Sequence, residues 1–213
     1  MAYFSKGILG GFSGKVGPVV GLRWRGKDIL RSLPQRSNKP PTAEQLIVRQ
    51  KFGLVIKFLY PLRSILGTYF GKPQGDKSRN NMATSYHIKD ALVENEGTYE
   101  LDYSKVLISK GEMQGLQGVN CTAGAGNTLD LTWDDNSGQG MAQPTDSLFV
   151  ICYNPENAWY EFFVPAAVRS DAMVTLTLPD IFTDLSVEVW ATFANETQKF
   201  AATSTYLGAF TIT

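Results

Sequence analysis

The chain has 213 residues, of which 43% are hydrophobic and 19% charged, and its formal net charge is zero. These values are ordinary for a globular protein and argue against disorder along the whole chain. The longest apolar run, FGLVIKFLYPL, is interrupted by Lys57 and Pro61, which predicts that no helix crosses a membrane. No signal peptide is visible, so the localisation stays open, with the cell surface or a virion-like assembly among the options.

The net charge of zero hides a strong asymmetry along the chain. Residues 1–79 carry 15 Lys and Arg against three acids, a charge of +12. Residues 114–213 carry two Lys and Arg against 11 acids, a charge of −9, and the segment between has a charge of −3. Such a distribution steers and orients partners without specifying a fold.

The N-terminal part predicts an arm, a hairpin and helices. A glycine-rich arm, GILGGFSGKVG, precedes two β-type runs around the turn RGKD, which predicts a hairpin over residues 16–24 and 28–33. The breaker PQRSNKPP then separates this hairpin from a helix. Thr42 and Gln45 have capping-box spacing, and the helix is expected to reach about Tyr60, with a second segment in PLRSILGTYF. The apolar residues at helical spacing are Leu46, Phe52, Val55, Ile56 and Leu59.

Two further elements are predicted before residue 113. A shorter helix is expected over residues 81–94, where the apolar stripe is weak. A strand is expected over residues 98–109, because Tyr99, Leu101 and Tyr103 alternate with acidic residues.

From Gly115 onward the pattern is that of strands alone. Seven runs with period-two alternation are separated by turn clusters such as GAGN, DDNSGQG and NPEN, which is typical of a β-sandwich. The sequence therefore predicts an α+β protein. Residues 1–113 form a basic module with a β-hairpin plus helices, and residues 114–213 form an acidic, all-β immunoglobulin-like sandwich.

No group of residues predicts catalysis, so we expect no enzyme, no cofactor and no metal site. His87 is the single histidine and has no nucleophile motif beside it. The segment GGFSGKV places Val16 where a phosphate-binding loop needs Ser or Thr. Asp134 and Asp135 resemble a hairpin turn more than a calcium loop. The two cysteines, Cys121 and Cys152, are predicted to be buried and reduced, and a disulfide between them is the alternative.

The basic hairpin is the candidate contact site. Its cations are predicted to meet an acidic protein surface or a polyanion, and they are Lys15, Arg23, Arg25, Lys27, Arg31, Arg36 and Lys39. Strand alternation places Arg23 and Arg25 on one face and Trp24 on the other, so we expect Trp24 to pack inward. A solvated basic face without a partner is the remaining interpretation.

Several motifs carry a resemblance to a known family. The chain resembles a family of uncharacterised proteins found chiefly in Bacteroidota through MAYFSKGILGGFSGKVGPVVG, WRGKDILRSLP, KPPTAEQLIVRQKF, DYSKVLISKG and LTWDDNSG. The resemblance implies a basic N-terminal module followed by an immunoglobulin-like sandwich, and it brings no established activity. Trp133 and Tyr206 are similar to features of fibronectin type III modules. The element PTAEQLIVRQKF is also similar to segments of phage-associated and surface proteins, which favours an assembly role.

These observations favour a non-enzymatic structural protein. We expect head-to-tail self-assembly into a filament, tube or similar array, driven by the N-terminal arm and the oppositely charged ends. A nucleic-acid-binding protein that uses the basic hairpin is one alternative. A sandwich module that binds glycan or protein through Trp159 and Tyr160 is the other.

Overall fold

The structure is a computed structural model that describes residues 3–4 (backbone only), 10–24, 26–35, 39–95, 97–195, 197 and 199–213. It divides into two compact units, Met1–Ala43 and Glu44–Thr213. The domain boundary expected between residues 113 and 114 lies inside the second unit and stays a prediction.

The first unit is an antiparallel meander. Its strands follow one another in the sheet in chain order, and they are β1 (Tyr3–Phe4), β2 (Phe12–Val16), β3 (Val19–Trp24) and β4 (Lys27–Ser32). The predicted hairpin corresponds to β3 and β4. Gly26 adopts φ +79° at the turn between them, a backbone conformation that glycine adopts without steric cost.

Three helices follow, α1 (Ala43–Leu59), α2 (Arg63–Tyr69) and α3 (Arg79–Asp90). The first begins directly after Thr42, where the capping-box pattern predicted a start, and Pro61 lies in the turn before α2. Ser78 caps α3, since its hydroxyl accepts a hydrogen bond from the Asn81 backbone N–H at 3.2 Å.

The expected end of the third helix is wrong. The structure ends α3 at Asp90 and pairs β5 (Leu92–Asn95) with β6 (Thr98–Leu101) as a two-stranded ribbon. The strand expected over residues 98–109 is also shorter than predicted. Asp102 accepts the Ser104 N–H at 3.1 Å and starts a 3₁₀ turn, Tyr103–Lys105, which ends the extended conformation.

The C-terminal hundred residues form two antiparallel sheets. One sheet has the order β11-β8-β7, and the other has the order β10-β9-β12, with β13 and β14 both paired to β12. The strands are β7 (Asn120–Gly124), β8 (Thr128–Thr132), β9 (Ser147–Asn154), β10 (Trp159–Val168), β11 (Met173–Thr177), β12 (Ser186–Asn195), β13 (Phe200–Ala201) and β14 (Thr205–Thr211). The seven predicted runs each hold one of these strands, and the two-residue β13 is additional.

The inner faces of these two sheets enclose the larger core. Alternate residues of β8, β9 and β12 point into it, as the period-two pattern predicts. The fully or nearly fully buried members include Leu129, Leu131, Trp133, Leu148, Val150, Cys152, Val187, Val189 and Phe193. The α+β fold with a C-terminal immunoglobulin-like sandwich is therefore as the sequence predicts.

The outer face of the five-stranded sheet is also buried, because the helices cover it. Ile151, Tyr153 and Trp190 project from that face into a second core with Phe58 and Leu66. The Phe58 ring contacts Tyr153 edge-on, with a centroid separation of 5.1 Å. The second unit thus has three layers, a three-stranded sheet, a five-stranded sheet and the helices.

Across the residues that the structure describes, no helix is both long and apolar enough to span a bilayer.

Candidate functional site

The predicted cations of the first unit lie on different strands. Lys15 lies on β2, Arg23 on β3, and Lys27 and Arg31 on β4, whereas Lys39 follows the sheet. Arg25 and Arg36 lie outside the described residues. We call the sheet formed by β1 to β4 the basic sheet.

The strand register decides which cations share a face. Val20 is opposite both Lys15 and Arg31, so these three residues form one row across the sheet. Trp24 is opposite Lys27, two pairs further along the same face. Directly opposed side chains lie about 5 Å apart at Cβ. Lys15, Lys27, Arg31 and Trp24 therefore share one surface, which we call the cationic face.

Arg23 lies on the opposite face of the sheet. Its cross-strand partner is Asp28, the single acid of the first unit. This pair partly neutralises the opposite face, so the positive charge of the described strands is concentrated on the cationic face. The expected grouping of cations around Arg23 is thus replaced by one around Lys27 and Arg31.

The expectation that Trp24 packs inward is wrong. Half of its surface, 50%, is exposed. The basic sheet is a single layer, and within the described part of the first unit only Gly21 is buried. Because the described residues of the first unit form no second layer over this sheet, an alternating strand here has no inward side.

Gly21 lies where the sheet leaves no room for a side chain. A Cβ at this position would collide with the carbonyl oxygen and the ring of Phe12. The sheet therefore requires glycine at this position. On the same face, Val16 and Leu30 remain 52% and 65% exposed.

The segment that resembles a phosphate loop is a strand. Gly14, Lys15 and Val16 all belong to β2 and pair with β3, so this stretch does not lead from a strand into a helix. The adjoining turn at Gly17 adopts φ +55°.

His87 has a structural environment. It is fully buried, with Nδ1 2.8 Å from the Ala83 carbonyl oxygen, and Nε2 accepts the Leu107 N–H at 3.2 Å. Burial lowers the pKa of His87, and the Ala83 hydrogen bond opposes this shift only in part. Both ring nitrogens are occupied by the backbone, which suits a neutral imidazole that joins α3 to the following segment.

The WDDNSG segment is not the hairpin turn that the sequence predicts, because β8 and β9, the strands on either side of it, lie in different sheets. Asp135 Oδ1 accepts the Ser137 N–H at 2.9 Å, and Asn136 is buried. In the described ranges, no three His, Cys, Asp or Glu side chains are placed to hold a metal ion.

The aromatic pair expected to bind glycan is split by the structure. Trp159 is 40% exposed, as expected for a surface platform. Tyr160 is instead half-buried, because its hydroxyl donates to the Phe58 carbonyl at 2.7 Å and its ring lies 4.5 Å from that of Tyr153. The expectation of an exposed Tyr160 is therefore wrong.

Exposed acids lie in the loops at both ends of the sandwich strands. The loops after Asn154 and Leu178 hold Glu156, Asp180 and Asp184, and the loops at the other end hold Asp134, Asp135 and Asp171. We call residues 114–213 the acidic sandwich, because they hold 11 acids against two Lys and Arg.

The fold and these surfaces define an α+β protein in which a basic sheet precedes a helix-covered β-sandwich. The chain belongs to DUF6266, a family of unknown function, whose model matches residues 11–208.

No curated protein matches the sequence. One similar solved structure is the fibronectin type III domain of the human collagen alpha-1(XX) chain, with 10% identity, a TM-score of 0.35, and coverage of 49% of this chain and 89% of that one.

Proposed function

We propose that this chain is a non-enzymatic structural protein that self-assembles head-to-tail, the basic sheet of one copy binding the acidic sandwich of the next. The observation that carries the proposal is a strongly basic sheet in which only Gly21 is buried among the described residues. A small sheet with both faces exposed is marginal in water and gains stability when another surface covers it.

Charge complementarity supports the choice of partner. The first unit has eight Lys and Arg against one acid, a formal charge of +7, and the second unit has the opposite charge, −7. Two copies therefore attract between unlike units and repel between like ones, which favours a head-to-tail register. Contacts of this kind that do not close form an open filament.

We propose that strand exchange between copies takes place at the strand edges that the arm leaves unpaired. Tyr3 and Phe4 pair with Ser13 and Phe12 of the same chain, so this part of the arm is already in a strand. The remaining backbone of β2 and the outer edge of β4 are the strand edges available to a second copy among the described residues.

The test is the oligomeric state of the full chain at low and high salt, measured by sedimentation velocity. We expect large species at low salt that dissociate as salt rises, because exposed charges are screened beyond about 10 Å at 0.1 M. The triple variant Lys15→Ala/Lys27→Ala/Arg31→Ala should be monomeric, and Arg23→Ala should assemble like the parent chain. A chain that stays monomeric at every salt concentration would overturn the proposal.

Binding of single-stranded nucleic acid is a second candidate. One observation favours it, because Trp24 is half-exposed on the same face as three cations, an arrangement that stacks bases and contacts phosphates. Self-assembly is preferred since the charge of −7 on the second unit repels a polyanion. Fluorescence anisotropy with a labelled oligonucleotide tests it, and no binding at low salt excludes it.

The Bacteroidota origin implied by the sequence motifs stays a prediction.

A further inference from the structure

A pocket in the second unit combines an apolar lining with a cationic rim. Its cavity volume is about 320 Å³, at the lower end of the range for small-molecule sites. Two neighbouring extended segments form one wall, since the Gly71 N–H donates to the Lys110 carbonyl at 2.6 Å. A third segment closes it, because Thr203 Oγ1 donates to the Gly111 carbonyl at 3.1 Å.

The closeness of these segments is fixed by glycine. A Cβ on Gly111 would collide with the carbonyl oxygen of Ala201. Gly71 adopts φ +64° at the point where the chain leaves α2. Gly111 therefore holds the walls at a separation that a larger residue would change, and the backbone conformation at Gly71 is one that favours glycine.

The lining is apolar. Met113 is a nearly buried part of this lining, and Tyr69 borders the pocket at the end of α2. Phe200 and Met141 stand at the edge with 43% and 45% of their surfaces exposed. Large apolar side chains left open beside a concave surface mark a place where an apolar group gains by binding.

The rim is positively charged. Four cations line the pocket, Lys72, Arg79, Lys110 and Lys199. Among the lining residues, Glu112 is the one acid, and it is paired with Lys72 at 2.9 Å. An excess of three positive charges is notable in a unit whose overall charge is −7.

A second, polar pocket adjoins the first. It has a volume of about 310 Å³ and shares Lys72 and Lys110 with the apolar pocket. Lys77 and Lys89 add two more cations to its lining. The shared lysines therefore stand where an apolar cavity meets a polar one.

We infer that this pocket binds a small amphiphilic anion, an apolar chain or ring that carries a phosphate or carboxylate group. The apolar part would lie against Met113, Met141 and Phe200, and the anionic group would meet Lys72 and Lys110. This assignment does not depend on self-assembly, because all of its residues belong to the second unit.

The experiment is isothermal titration calorimetry with decyl phosphate, decanol and inorganic phosphate, each below any micelle concentration. We expect saturable binding of decyl phosphate at one site, at least about tenfold tighter than either of the other two, since an ion pair and apolar burial both contribute. Equal binding of decanol would show an apolar site only, and equal binding of inorganic phosphate would show an anion site only. Either result, or no saturable binding, overturns the proposal.

Variants locate the site. Lys72→Ala/Lys110→Ala should weaken decyl phosphate binding by about tenfold or more, whereas Lys57→Ala/Lys105→Ala removes the same charge elsewhere and should leave it unchanged. Met141→Ser should weaken decyl phosphate and leave inorganic phosphate unaffected. Circular dichroism checks that each variant is folded. If the double variant is unfolded, the single variant Lys72→Met replaces it in the binding test, because the Lys72 side chain is 72% exposed. Equal losses in the test and control pairs contradict the assignment.

Discussion

Arg169 and Asp146 form an ion pair from which solvent is fully excluded, with Nη2 3.2 Å from Oδ2 and both side chains 0% exposed. The guanidinium also donates to Asn136 and to the Gln114 carbonyl, and its carbon lies 3.9 Å from the centre of the Phe193 ring. Burial lowers the pKa of Arg169, and the Asp146 charge opposes that shift. This network joins the loop between β8 and β9 to the turn after β10.

Removing one partner of this pair should be costly. We expect Asp146→Asn to lower the free energy of unfolding by about 3–5 kcal/mol, because it leaves an uncompensated buried guanidinium. The double variant Asp146→Asn/Arg169→Met should recover part of this loss, since the unpaired charge is gone. Urea denaturation of the three proteins measures both effects. A single variant as stable as the parent would contradict the role given to the pair.

Stability should depend on the protonation of His87. Because burial lowers its folded pKa, the unfolded chain takes up the proton first as the pH falls through about 6.5. The contribution of neutral His87 to the free energy of unfolding is therefore complete above that pH. Below it, the free energy of unfolding falls by at most about 1.4 kcal/mol per pH unit.

Urea denaturation between pH 5 and 8 measures this dependence, with His87→Gln as the control because it cannot titrate. The slope between pH 5 and 6.5 should be shallower in the control. Identical slopes in the two proteins would exclude His87 as the cause.

The two halves of α1 should respond differently to the same substitution. Val48 and Val55 lie on one helical face, seven residues apart, yet they are 64% and 0% exposed. Val55→Ala should cost about 2 kcal/mol through lost burial and the cavity left behind. Val48→Ala should cost less than about 0.5 kcal/mol, as for other surface positions.

Thermal or urea denaturation of dilute, monomeric protein gives both values. If Val48→Ala proves as costly as Val55→Ala, the exposed end of α1 is covered in the folded monomer.

Both thiols should resist modification in the folded protein. Cys121 and Cys152 are free, but Cys152 alone is buried as predicted and Cys121 is only partly buried. Burial raises the pKa of Cys121 to about 11 and that of Cys152 further. At pH 8 only about one Cys121 in a thousand is then a thiolate, the reactive form. A thiol-reactive disulfide reagent should label both cysteines quickly in denaturant and neither in buffer. Fast labelling of one thiol in buffer would show that its strand opens.

Local patterns predicted most of the second unit. Alternation in TLDLTW and LSVEVWATF located β8 and β12, because a strand with one buried face must repeat every two residues. The SLFVICYN strand is buried on both faces, which its continuous apolar sequence allows but does not require. The helices that cover its outer face belong to a distant part of the chain.

The errors of prediction have identifiable causes. Residues 92–94 were expected to continue a helix, but Leu92–Asn95 pairs with Thr98–Leu101, and a pairing partner outweighs a weak helical pattern. Trp24 was expected to pack inward because successive side chains of a strand point to opposite faces. This alternation does not indicate whether either face is covered.

The sequence by itself determined the strands of the sandwich, the start of α1 and the charge difference between the two parts of the chain. These features depend on neighbouring residues or on simple counts. Only the tertiary structure decided that Lys15, Lys27 and Arg31 share a face with Trp24, and that Lys72 and Lys110 meet at a pocket. Such groupings depend on strand register and on contacts between residues far apart in the chain, which no local pattern specifies.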